Sequence, residues 1–118
     1  MEQSALPEVW LRRPLPNIPP LLQPVAHALL QAKEEINELM HHFPEDKLWE
    51  KPAVAASPGF HLQHIAAVLD RLFTYAKGSQ LTDEQLQYLS AEGKPGGEVT
   101  LNKLLERLNQ QIEKTLRL

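Results

Sequence analysis

Between Ser57 and Gly78 the apolar residues Leu62, Ile65, Ala66, Leu69, Leu72, Phe73 and Ala76 recur every three or four positions. At about 100° per residue this spacing gathers them on one side of an α-helix, whereas a strand would need alternation. Both ends carry stop signals. The Ser57 hydroxyl can accept a hydrogen bond from a free amide of the first turn, and Pro58 suits the first helical position, where no donor is needed. Gly78 suits the left-handed residue after the helix, and Lys77 sits near the negative end of its dipole. A helix with so broad an apolar face must bury it, so this stretch commits the chain to helix-on-helix packing.

The rest of the chain reads consistently with that. Residues 1–20 form a proline-rich arm, punctuated by Pro7, Pro14, Pro16, Pro19 and Pro20, which lack backbone donors and keep their neighbours extended. Trp10, Leu11, Leu15 and Ile18 are its candidate anchors. A first long helix is expected from Leu21–Pro24 to about Phe43, with Leu22, Val25, Leu29, Ala32, Ile36, Leu39 and Phe43 on one face and His27 on the opposite, exposed one. The adjacent His41 and His42 should point in different directions. A short helical turn is expected near Glu45–Trp49, with Trp49 at one end of the core. Thr82 and Gln85 make a capping box that opens a short helix. The stretch Ala91 to Gly97, AEGKPGG, reads as a flexible loop with a hinge at Gly93–Gly97, and lacks the order of a phosphate-binding loop. Thr100 caps a last helix with an apolar stripe of Leu101, Leu104, Leu105, Leu108, Ile112 and Leu116. The expected fold is all-α: one domain over residues 1–118, an up-down bundle of three long helices and a short one.

Composition narrows the chemistry. At 118 residues and 42% hydrophobic the chain supports one small core. A net charge of −3, with basic residues scattered among acids, disfavours nucleic acid as a partner. No apolar run has transmembrane length and no secretory signal pattern opens the chain, so no membrane role and a cytoplasmic location are expected. Without cysteine, a metal would be held by histidine and carboxylate oxygen.

One stripe of the central helix is chemically unusual. His61, His64, Val68, Arg71 and Tyr75 follow one another by three or four residues along the flank of the apolar face, so their side chains can meet. Two readings stay open on spacing. The stripe is a site, or it is a boundary where imidazoles are satisfied by backbone and water while Arg71 and Tyr75 extend their polar ends outward.

The runs PPLLQPVAHALLQAKEEI, LWEKPAVAASPGFHLQHIAAVLDRLFTYAKG and LTDEQLQYLSAEGKP resemble the DinB-like superfamily of small bacterial four-helix bundles, which includes metal-dependent enzymes and thiol transferases. The resemblance covers about three quarters of the chain and is most specific from Gly59 to Gly78. It implies a divalent metal (Zn, Ni or Fe) held by one histidine of the second helix and an H-x-x-x-H pair of the fourth. The first of these matches His64, whereas the resemblance does not fix the role of His61; read as an enzyme, the stripe would use His61 as a second ligand or orienter and Arg71 and Tyr75 as contacts for a small-molecule thiol or anionic substrate. This sequence contains no H-x-x-x-H, so the expected function is that of a DinB-like hydrolase or thiol transferase with an incomplete metal site. The alternative is a non-catalytic helical module that self-associates. Because the last helix ends without a stop signal, a truncated bundle lacking its fourth helix is expected. A homodimer would then cover Leu101, Leu104, Leu108 and Ile112.

Overall fold

The computed structural model describes residues 6–93 and 99–117. Four α-helices form its body: α1 (Gln23–Met40), α2 (Pro58–Ala76), α3 (Asp83–Ala91) and α4 (Leu101–Leu116), with no strand among the described residues. Single turns of 3-10 helix at Val9–Leu11, Pro20–Leu22, Glu45–Lys47 and Pro52–Val54 lie in the arm and the α1–α2 link. The fold is therefore all-α.

The caps work as their side chains dictate. Ser57 Oγ accepts from the Phe60 amide at 3.1 Å, and Thr100 Oγ1 from the Lys103 amide at 3.3 Å. Thr82 and Gln85 exchange both bonds of the capping box. Gly78 takes a φ of 76°, the left-handed conformation that costs glycine little. α1 stops at Met40, short of Phe43: His41 turns extended and His42 adopts a φ of 67°. That reversal folds the two imidazoles together, with ring centroids 3.9 Å apart, so adjacency in sequence does not separate them.

The link sets where α2 and α4 begin. The Gly59 amide donates to Leu48 O at 2.7 Å, and the Leu101 amide to Glu45 Oε1 at 2.9 Å, so both helices start at the end of the bundle built by residues 45–48 and run parallel. α1 runs opposite to α4. Asn37 and Asn109 exchange amide hydrogen bonds at 2.7 and 3.0 Å, and Lys33 meets Glu113 one turn further on at 2.8 Å, which fixes that register.

α4 packs against both α1 and α2 and supplies the centre of the core. Leu101, Leu104, Leu108 and Ile112 are all buried, joined by Leu48, Leu62 and Ala66 and ringed by Leu29, Ile36, Met40, Phe43 and Trp49. Each such aliphatic side chain contributes about 1.5–3 kcal/mol by leaving water. The stripe expected to seek a second copy is thus covered within the chain, because α4 sits between the long helices rather than at their edge.

The face of α2 is rotated from the expected one. Gly59, Leu62, Gln63, Ala66 and Ala67 are buried, whereas Ile65, Leu72 and Ala76 are exposed. Two neighbours draw the helix round, α4 on the Leu62–Ala66 side and α3 on the Gln63–Asp70 side, which leaves Leu72 largely open and Ile65 partly so.

The arm also docks differently. Trp10 is 54% exposed and Leu11 is exposed. Val9 is buried instead, and its amide donates to Gln31 Oε1 at 2.9 Å. Arg12 grips Glu34 with two hydrogen bonds of 2.7 Å, and the Gln23 amide group holds the Leu15 and Ile18 backbones. Polar groups on α1, which the periodicity assigns to solvent, are what fasten the strap. His27 is half-buried rather than exposed, with Nε2 lacking a hydrogen-bond partner among the described residues.

Candidate functional site

α3 runs antiparallel to α2 because its capping residue serves twice. Gln85 Oε1 accepts from the Thr82 amide, while its Nε2 donates to Asp70 Oδ2 at 2.8 Å and Thr74 Oγ1 at 2.9 Å on α2. That anchor delivers the far end of α3 to the stretch around His64. There Gly93, at a φ of 80°, lets the chain turn so that its amide donates to Gln63 Oε1 at 2.7 Å. A Cβ at Gly93 would lie 3.2 Å from Phe60 Cδ1, so the turn also needs the absence of a side chain.

This turn inserts Glu92 against α2. Its carboxylate is 5% exposed and reaches two residues of the stripe. Oε2 lies 3.1 Å from His64 Nδ1, and Oε1 accepts from Arg71 Nη1 at 2.8 Å. Burying a carboxylate is costly unless it is paired and hydrogen-bonded, and here the imidazole and guanidinium provide for both oxygens. An ionised carboxylate only accepts, so the proton at this contact belongs to Nδ1. Nε2 of the neutral ring is then left with a free lone pair. Phe60 stacks on the His64 ring at 5.1 Å and 14°, fixing its plane.

No family model, characterised protein or solved structure matches this chain. The DinB-like resemblance therefore rests on the sequence runs that carry it.

The other stripe residues fall elsewhere. His61 is exposed, meets the Phe60 ring edge-on at 5.6 Å and lines an apolar groove with Ile36, Leu39, Met40, Leu62 and Ile65. It thus faces α1 while His64 faces α3. Tyr75 is 55% exposed rather than tucked beside Arg71. No group of three or more histidine, aspartate or glutamate side chains suited to a metal forms among the described residues. His64 and Glu92 fit a ligand with its orienting carboxylate. One oriented donor falls short of the three or so that a catalytic zinc centre uses, and no step through a metal is derived.

Sequence reasoning missed Glu92, which lies in the stretch read as a flexible loop. The signal was an acid directly before a glycine at a helix end, but its partner lies 28 residues away, beyond any local pattern. Residues 94–97 of the expected hinge lie outside the described residues.

Cavities open on both sides of the cluster. One of about 380 Å³ is bordered by Lys51, Ser57, Phe60, Glu92 and Gly93. Its rim includes Val54, which has a φ of 64°, a strained conformation for a β-branched residue. The other, of about 340 Å³, lies between α2, α3 and α4. On that side Arg107 sits 4.0 Å above the Tyr88 ring, and the Tyr88 hydroxyl is buried without a hydrogen-bond partner among the described residues. Burial, opposed by the charge of Arg107, pushes the Tyr88 phenol above its ordinary value.

Proposed function

We propose that this chain is a DinB-like helical protein whose working group is the His64 imidazole, offered through Nε2 to a divalent ion such as zinc, nickel or iron. The reaction class that goes with this reading is metal-dependent hydrolysis or thiol transfer, with His64 as one ligand of a site that this chain alone leaves incomplete. The observation that carries it is the buried Glu92 carboxylate, shared by His64 Nδ1 and Arg71. A boundary histidine needs no such partner. A ligating histidine characteristically gives its second ring nitrogen to a carboxylate, which fixes the tautomer and raises the basicity of the ligating nitrogen. Arg71 belongs to the same unit, donating to the other Glu92 oxygen and so holding the carboxylate in place beside the imidazole.

Titration calorimetry of the purified chain with zinc, nickel and iron(II) tests the reading. Weak binding is expected in the wild type, lost in His64→Ala and weakened about 10- to 100-fold in Glu92→Gln. Binding unchanged in His64→Ala would place the ion elsewhere, the touching rings of His41 and His42 being the next ligands to remove.

The second reading, self-association, is favoured by the groove between α1 and α2. Its walls are apolar, and Leu39 at 75% and Ile65 at 36% exposure lie open along it. A homodimer through this face would bury those residues. It differs from the interface expected on α4, whose stripe is already covered.

A further inference from the structure

The cavity between α2, α3 and α4 presents charges of both signs that do not meet one another. Along its α3 side it runs from Thr82 and Glu84, in the first turn, to Tyr88 in the last half. The carboxylates of Asp70 and Glu84 and the guanidinium groups of Arg107 and Arg71 all belong to its lining. Arg71 is committed to Glu92. Among the described residues, Arg107 has no carboxylate partner and neither Asp70 nor Glu84 has a cation. Opposite charges lining one small cavity ordinarily collapse onto each other, since attraction at contact in a partly screened site amounts to several kcal/mol. Here none of them forms an ion pair across the cavity, and two of them have other supports. The Arg107 guanidinium carbon lies 4.0 Å from the centre of the Tyr88 ring, an arrangement stabilised by the ring's negative face, and its five N–H groups exceed what Tyr88 can engage. Asp70 is fixed by the hydrogen bond from Gln85 to its Oδ2, which leaves Oδ1 to accept. Ala67, which is buried, supplies apolar lining to the same cavity.

We infer that this cavity is a binding site for a small zwitterion, an α-amino acid or a compound of the same charge pattern, with its carboxylate on Arg107 and its ammonium group on Asp70 and Glu84. A simple anion fits less well. With Arg71 neutralised by Glu92, the two acids outweigh the one remaining cation, so an anion would be repelled from half of the lining. A simple cation would leave Arg107 unanswered. The volume of about 340 Å³ lies at the small end of the range of about 300–1,000 Å³ typical of ligand clefts. The site does not depend on the role given to His64, which has no part in it.

The test uses L-norvaline, pentanoate and butylamine, the last two being norvaline without its ammonium and without its carboxylate. Each is titrated into the ¹⁵N-labelled chain while the amides of Asp70, Gln85, Tyr88 and Arg107 are followed by NMR. Norvaline is expected to shift these amides with millimolar affinity, and each half-ligand to bind about tenfold more weakly or worse, the loss that follows one missing charge-assisted contact. Arg107→Gln should reduce norvaline to the level of butylamine, and Glu84→Gln should weaken it while leaving pentanoate no worse. Both positions are exposed, so both variants should fold, and their spectra report whether they do. Pentanoate binding as tightly as norvaline would make this an anion site and overturn the inference. So would norvaline binding unaffected by Arg107→Gln, or no response of these amides to norvaline at all.

Discussion

At the residue scale, two glycines and a tyrosine show how tightly the surroundings of the site are specified. A Cβ at Gly59 would come within 2.7 Å of the Trp49 ring, and the Gly59 amide holds Leu48 O at the start of α2. Gly59→Ala should therefore displace Trp49 and destabilise the chain by about 1–3 kcal/mol, the usual cost of overpacking, read from chemical denaturation. A loss within error would mean that Trp49 moves aside freely. At Gly93 the strain is conformational as well as steric, and Gly93→Ala should disturb the His64 resonances by shifting Glu92. Tyr88 supplies a pH dependence. Its folded-state value is raised above the ordinary 10.0 by burial, so its contribution to stability is present below about pH 10 and is lost as pH rises through the folded value. Thermal melts from pH 9 to pH 11 should fall more steeply for the wild type than for Tyr88→Phe, and parallel curves would remove Tyr88 as the cause.

At the element scale, α3 is held by few contacts, which makes it the part most sensitive to a single change. Thr82→Ala removes one bond of the capping box, with a typical cost of about 1 kcal/mol. Because Gln85 anchors α3 to Asp70 and Thr74, the effect should extend to Glu92 and appear as increased amide exchange through residues 83–92, without a comparable change in α4. Equal loosening of both helices would deny α3 its independence. The arm has its own control. The Arg12 hydrogen bonds hold the Glu34 carboxyl below its ordinary 4.5, so this contribution to docking is present above that pH and is lost as pH falls through the folded value. The Trp10 indole resonance should move on acidification in the wild type and hold steady in Glu34→Gln. Helices of this kind were legible in the sequence because caps and periodicity are local: Ser57, Thr82, Gln85 and Thr100 act within three or four residues. The rotation of α2 was not legible. Periodicity reports which residues are apolar, whereas burial is decided by the neighbours, and α3 covers Gln63 while leaving Ile65 and Leu72 open. The arm was misread for a related reason, since Trp10 has the larger apolar area yet the bidentate Arg12–Glu34 pair and the small Val9 fit the surface of α1.

At the scale of the whole molecule, the site exists because segments distant in sequence meet beside α2: the link before it, α3 after it, and Arg107 from α4. The stripe of His64 and Arg71 was legible from helical spacing, but the carboxylate that joins them was not, because it depends on the antiparallel return of α3. The same arrangement bears on association. With Leu101, Leu104, Leu108 and Ile112 enclosed by their own chain, any homodimer should form through Leu39 and Ile65. Light scattering should then show a dimer that Leu39→Asp dissociates without unfolding. A monomer at all accessible concentrations would remove the self-association reading while leaving the His64 site untouched. The central claim is that Glu92 fixes the His64 tautomer and frees Nε2, and ¹⁵N NMR of the imidazole ring at a pH where it is neutral tests it most directly. The expected result is a protonated Nδ1 and a bare Nε2, with the preference reduced in Glu92→Gln. A protonated Nε2 with a bare Nδ1, or a tautomer equilibrium identical in wild type and Glu92→Gln, would contradict it.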